Sequence, residues 1–329
     1  MTALAPALQA FFTERLITQR NASPQTIAAY RDTFRLLLAY AHERTGKQPY
    51  ELDFEDLDAP LIGAFLTHLE QARGNSPRTR NARLGAIHSF YRFAALGHPE
   101  HAATIARVMA IQTERHERNI VCYLDLDEAK ALLAAPELGA WLGRRDHALL
   151  AVMIQTGVRV SELVGLRIQD VHLGSGSHIR VIGKGRKNRA VTLTGETVAI
   201  MRAWLKERRG QPHEPVFPTR QGQPLSRYTI GAIVGKHSAA AATTCPTLMT
   251  KRVTPHTLRH TNAMLLRASG VDIATIALWL GHESAQTTCI YEHADPKLKE
   301  QAIARTAPLG TKPGRYRASD ALLTFLESL

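Results

Sequence analysis

Thr254-Pro255-His256-Thr257-Leu258-Arg259-His260 reads as the opening of a helix with chemistry on it. Threonine is a good N-cap, because its hydroxyl accepts from the free amides of the first turn, and proline fits the first helical position. His256 and Arg259 are then i, i+3 neighbours beside exposed backbone amides, which makes a phosphate-binding corner. His260 is expected on a different face and so to be structural.

Downstream, Asp272 is placed to cap a helix carrying Ile273, Ile276, Ala277 and Leu280, which Gly281 ends. His282 follows directly. A lone tyrosine, Tyr291, closes the run Gly281-His282-Glu283-Ser284-Ala285-Gln286-Thr287-Thr288-Cys289-Ile290-Tyr291, 32 residues after Arg259. A tyrosine on a helix is commonly a core residue. Its place after Gly281-His282 singles this one out among the eight.

Upstream, Thr156-Gly157-Val158-Arg159-Val160-Ser161-Glu162-Leu163 follows a buried apolar run and opens another helix, with Arg159 in its first turn. Glu162 is three residues on and shares its face, so it can orient the guanidinium. A surface Arg/Glu pair would look the same in isolation. Next come two strand-like stretches, Ile179–Ile182 and Ala190–Leu193, joined by Gly183-Lys184-Gly185-Arg186-Lys187-Asn188-Arg189. Its glycines suit a tight turn. The turn holds Lys184, Arg186, Lys187 and Arg189, either as a solvated basic loop or as one that reaches into a groove.

Cutting a phosphodiester without a metal asks for an in-line nucleophile, positive groups on the non-bridging oxygens and a proton for the departing oxygen. These segments offer a candidate for each. Composition agrees with a polyanionic partner. The chain has 329 residues and a net charge of +12, and the excess is uneven. Residues 1–118 hold 14 Lys+Arg against 12 Asp+Glu, while the remainder holds 27 against 17. Hydrophobic residues make up 44% and charged residues 21%, which indicates a globular chain with room for two cores. No apolar run approaches the ~20 residues of a membrane helix, and the start of the chain is not a secretory signal, so a cytoplasmic protein without a membrane partner is expected. Cys122, Cys245 and Cys289 are widely spaced, form no metal-binding pattern and are expected to be reduced thiols.

The first part of the chain is expected to be helical. Leu8, Phe11, Phe12, Leu16 and Ile17 recur at helical intervals. Ser23-Pro24, Asp58-Ala59-Pro60 and Ser76-Pro77 each open a helix with an apolar face. Arg78, Arg80 and Arg83 crowd the start of the last of these, as a solvated face or as a phosphate grip. Gln112–Arg118 is polar and reads as a linker. The expected layout is a helical domain over residues 1–111, a linker over 112–119, a mostly helical second domain with a small β-sheet over 120–306, and a tail over 307–329. The tail is expected to end in a short helix over Asp320–Ser328, with Leu322, Leu323, Phe325 and Leu326 making one side apolar.

On Thr-Gly-Val-Arg-Val-Ser-Glu-Leu, Gly-Lys-Gly, His-Thr-Leu-Arg-His, Leu-Gly-His and the late tyrosine, the chain resembles the tyrosine recombinase (phage integrase) family over nearly its whole length. Its compact layout is similar to Xer-type and mobile-element members. The resemblance implies a mainly α fold with a small β-sheet, and two domains, a SAM-like core-binding domain and a catalytic domain, forming a clamp around double-stranded DNA. It implies Tyr291 as nucleophile, Arg159 and Arg259 on the non-bridging oxygens, and His256 in proton transfer at the tyrosine. It further implies His282 on the phosphate, Lys184 as acid for the 5′-oxygen and Glu162 in support. No metal or cofactor is expected. A homotetramer on DNA, with or without related recombinases and with the C-terminal helix docked on a neighbour or on its own chain, is the implied assembly. The Ala/Thr-rich stretch from Lys236 to Val253 and the long tail favour a mobile-element role over dimer resolution. A type IB topoisomerase and a silent DNA-binding protein are the alternatives: supercoil relaxation without a specific site would favour the first, and a covalent-adduct assay on nicked site DNA tests the second.

Overall fold

A computed structural model describes residues 3–115, 121–183 and 188–281. The chain divides into two compact units, Met1–Arg118 and Asn119–Leu329, each with its own core.

The first unit is helical. Helix α1 (Leu4–Ala10) runs on into a π-helical stretch, Phe11–Gln19, followed by α2 (Pro24–Thr45), α3 (Ala59–Gln71), α4 (Pro77–Ala94) and α5 (Ala102–Met109). Ser23, Asp58 and Ser76 cap α2, α3 and α4 with their side chains, each ahead of a proline in the first turn. The apolar faces read from the sequence meet in one core, where Phe34 and Phe90 pack edge to face at 5.4 Å and Phe54 stacks on Phe90 at 6.0 Å. Ile17 departs from its expected place. It is 53% exposed, because the π-helical turn changes the angular step between residues and carries its side chain off the apolar stripe. Helix α5 had no cap signature, yet buries Ile105 and Val108.

The second unit begins with α6 (Leu126–Ala134), capped by Asp125, and α7 (Trp141–Thr156). Helix α8 (Val160–Gly165) follows. Strands β1 (Val171–His172), β2 (His178–Ile182) and β3 (Asn188–Thr192) form an antiparallel sheet in that order. The register pairs Ile179 with Val191 and Ile182 with Asn188. Ile179 and Val181 face the core while Arg180 and Ile182 face out, the period-2 pattern of a half-buried sheet. The short β1 was not legible in the sequence. Helices α9 (Gly195–Arg208), α10 (Arg227–Ala241), α11 (Pro255–Ala268) and α12 (Ile273–Leu280) complete the described residues. Among these, no helix is long and apolar enough to cross a membrane.

A buried polar tie holds the middle of this unit. Arg145 donates to Asp146 Oδ1 at 2.9 and 2.7 Å and to the Pro218 carbonyl at 3.0 Å, while His237 Nε2 lies 2.9 Å from Asp146 Oδ2. All three side chains are buried, so each satisfied bond spares a desolvated group.

Candidate active site

The site is built where α7, α8, α11, α12 and β3 meet. Helix α7 ends at Gly157, in the left-handed conformation with φ +61°. A Cβ there would lie 2.7 Å from Leu280 Cδ2 and 2.8 Å from Asn262 Oδ1, so the position requires glycine for both conformation and space. The chain then turns into α8, with Arg159 as its N-cap residue. Arg159 was expected one step further on, inside the first turn. The cap position gives it extended backbone, and its side chain reaches Glu162 of the same helix.

Glu162 organises this corner. Its carboxylate accepts from the Arg159 backbone N–H at 2.8 Å and from Arg159 Nη1 at 3.0 Å. Arg189, on β3, donates to both oxygens of the same carboxylate, at 2.7 and 3.0 Å. The Glu162 side chain is 2% exposed. Burial alone would raise its pKa, but the bonds from Arg189 and Arg159 outweigh that and hold the carboxyl below its ordinary range.

Two other bonds join the arginines to α12. Arg159 Nη2 donates to the Gly281 carbonyl at 2.8 Å, and Arg259 Nη2 donates to the Leu280 carbonyl at 2.6 Å. Arg259 Nη1 donates to the Gly157 carbonyl at 2.6 Å. Two guanidiniums from distant segments therefore converge on consecutive carbonyls at the C-terminal end of one helix. That end carries partial negative charge and unsatisfied acceptors, which suits cations. Arg259 is buried, in α11, whose first turn is capped by Thr254 and begins with Pro255.

His256 lies one turn before Arg259 on α11 and is exposed. Its ring stands edge to face with His260 at 4.2 Å. His260 therefore shares the side of the helix that His256 occupies, and the separate face expected for it does not exist: i and i+4 positions are neighbours. Lys184, Arg186, Lys187, His282 and Tyr291 lie outside the described residues. Gly183 and Asn188 bracket the first three, and Gly281 immediately precedes the fourth.

The arginines of the first unit are placed differently. Arg78 is exposed in the first turn of α4. Arg80 Nε sits 3.7 Å from Glu70 and 3.6 Å from Glu114, which hold it in an internal network. Arg83 is half-buried, and burial, with the charge of Arg73 beside it, lowers its pKa.

Asn262 is a site residue that sequence reasoning missed. It is buried in α11 and donates from Nδ2 to the Ile154 and Gln155 carbonyls, at 3.1 and 2.6 Å, fixing the end of α7 against α11. Its signal was the i, i+3 spacing from Arg259. Arg189 was expected on the basic turn and instead belongs to β3, where its guanidinium is spent on Glu162.

The fold and this corner together define a protein that can present an array of guanidinium groups to an anionic oxygen centre beside the end of α12. Comparison with known proteins makes the class specific. Residues 123–297 match the model of the phage integrase family, and residues 10–98 match the phage integrase N-terminal SAM-like domain. The chain is 52% identical over 326 residues to the integrase/recombinase y4rC of Sinorhizobium fredii, covering 99% of this chain and 98% of that one. It is 35% identical to the tyrosine recombinase XerC of Pelobacter propionicus, over 86% of this chain and 89% of that one. The fold matches a structure of the Tn1549 transposon integrase in complex with a circular intermediate DNA, with a TM-score of 0.69 at 17% identity, covering 91% of this chain and 99% of that one. The chain belongs to the phage integrase family of tyrosine site-specific recombinases.

Proposed function

We propose that this chain cuts and rejoins double-stranded DNA through a 3′-phosphotyrosyl bond made by Tyr291, in the service of a mobile element. The observation that carries the reading is the convergence of Arg159 and Arg259 on the carbonyls of Leu280 and Gly281, the two residues before His282. A scissile phosphate at this corner would meet both guanidiniums, His282 and the exposed ring of His256. Charge building on the non-bridging oxygens is met by donors already fixed in place, so little reorganisation accompanies the reaction.

In the proposed step the Tyr291 phenol oxygen attacks phosphorus and its proton passes toward His256. The bond from phosphorus to the 5′-oxygen breaks, and Lys184 protonates that oxygen. The aryl phosphodiester keeps the energy of the broken bond, so attack by a 5′-hydroxyl rejoins the strand without ATP. Glu162 holds Arg159 in register. Arg78 and the basic turn carrying Arg186 and Lys187 supply phosphate contacts, and strand exchange proceeds in a tetramer. The mobile-element role is supported by the greater identity to a relative named integrase/recombinase than to XerC.

The test is capture of a covalent adduct. A pool of duplexes with a randomised centre is incubated with the protein, and DNA that stays bound through detergent is sequenced. The wild type is expected to enrich one site, and Tyr291→Phe to bind that duplex without forming an adduct. Affinity should fall steeply with salt, by a slope of about 0.9 per phosphate contact. Absence of any adduct from the wild type, or an adduct in Tyr291→Phe, would overturn the reading.

A further inference from the structure

We propose that Arg189 is a positioning residue for DNA cleavage, acting through Glu162 on Arg159, and not a DNA contact. The inference rests on the recombinase reading above.

Three observations support it. First, Arg189 is aimed inward. Its side chain is 16% exposed, and both terminal nitrogens are engaged by the two oxygens of Glu162, at 2.7 and 3.0 Å. A fork-to-fork pair of this kind fixes the plane of a carboxylate as well as its distance. Second, Glu162 has two clients. One oxygen takes Arg189 Nη1 together with Arg159 Nη1, and the other takes Arg189 Nη2 together with the Arg159 backbone N–H. The carboxylate orientation that Arg189 sets is therefore the one from which Arg159 hangs. Third, Arg189 packs on the residue that anchors the far side of Arg159. A Cβ on Gly281 would lie 3.0 Å from Arg189 Nη1 and 3.2 Å from its Cδ, and the Gly281 carbonyl takes Arg159 Nη2 at 2.8 Å. Arg189 thus touches both supports of the Arg159 guanidinium. Its Nε is buried without a partner among the described residues, a cost accepted for this particular pose.

The placement also links the parts of the site. Arg189 lies on β3, five residues after Lys184 in the sequence, so the strand that locks the arginine corner begins just beyond the segment carrying the lysine. Lysine could not substitute, because a single ammonium cannot grip both carboxylate oxygens in a plane.

The experiment uses the full chain and the duplex selected by adduct capture, nicked so that cleavage becomes irreversible. Wild type, Arg189→Gln and Arg189→Lys are compared for binding, single-turnover cleavage and pH profile. Both variants should bind within about twofold of wild type with an unchanged salt slope, since no phosphate contact is lost. Cleavage should slow by roughly 10–100-fold, the scale of losing a partner that orients a site group. In Arg189→Gln the acid limb of the rate profile should move to higher pH. The charged groups facing Glu162 among the described residues are Arg159, from the head of α8, and Arg189, from β3, and one of these two would be gone. Glu162→Gln/Arg189→Gln should cleave no more slowly than the slower single variant. Thermal unfolding accompanies each variant, and Arg189→Lys carries the test if Arg189→Gln does not fold.

Wild-type cleavage in the variants would overturn the inference, as would a shallower salt slope with normal cleavage of bound DNA. Losses that simply multiply with those of Glu162→Gln would also overturn it. A wild type that forms no adduct with any duplex strikes instead at the recombinase reading, and this inference falls with it.

Discussion

Replacing Gly157 with alanine probes the corner on which the site depends. The backbone there has φ +61°, and a Cβ would stand 2.7 Å from Leu280 Cδ2 and 2.8 Å from Asn262 Oδ1. Holding a non-glycine residue in the left-handed region costs roughly 1–2 kcal/mol. Overpacking a buried contact adds about 1–3 kcal/mol. The expected loss is therefore roughly 2–5 kcal/mol. Gly176 supplies the control. Its φ is +68° and a Cβ would meet nothing within 4 Å, so alanine there bears only the conformational part. The difference between the two variants isolates the steric part. All three tryptophans, Trp141, Trp204 and Trp279, lie in the second unit, so fluorescence-detected denaturation reports on it directly. The midpoint should fall further in Gly157→Ala than in Gly176→Ala, at equal m-values. Cleavage should also slow in Gly157→Ala alone, because the Gly157 carbonyl anchors Arg259. Equal destabilisation by the two substitutions would refute the packing described for Leu280 and Asn262.

Three further outcomes are expected. Arg259→Lys should keep DNA affinity while single-turnover cleavage falls by roughly 10²–10³-fold, since one ammonium cannot hold the geometry of the lost fork. Glu162→Gln should flatten the dependence of stability on pH, measured as denaturant midpoints. The folded-state pKa of Glu162 lies below its ordinary value, so its contribution is present above the unfolded pKa of about 4.3 and is lost as pH falls through the folded value. An unchanged curve on the acid side would contradict this. Tyr91→Phe, in the first unit, should cost roughly 1–3 kcal/mol in thermal unfolding, because the buried phenol donates to the Leu57 carbonyl at 2.6 Å.

The elements legible in the sequence were those announced by local chemistry. Ser23, Asp58, Ser76, Thr254 and Asp272 all cap helices where their side chains predicted, and Gly281 ends α12 in the left-handed conformation. The pairing of Arg159 with Glu162 followed from i, i+3 spacing. What escaped depends on distance along the chain or on a backbone anomaly. Strand β1 has two residues and exists only because β2 offers it an edge. The exposure of Ile17 depends on a π-helical turn that no periodicity announces. The grip of Arg189 on Glu162 spans 27 residues, and that of Arg159 on Gly281 spans 122. A cluster of basic residues around a glycine turn looks the same in sequence whichever of them turns inward.

The anchoring of Arg159 and Arg259 on main-chain oxygens has a consequence for how this corner tolerates mutational drift. Every residue type carries a carbonyl, so the anchor points at Leu280 and Gly281 do not depend on the identity of the side chains that happen to be attached. Leu280 could change to another apolar residue of similar bulk and the guanidiniums would keep their berths. What cannot drift is the path of the chain that brings those oxygens into reach, and that path is held by the left-handed turns at residues 157 and 281.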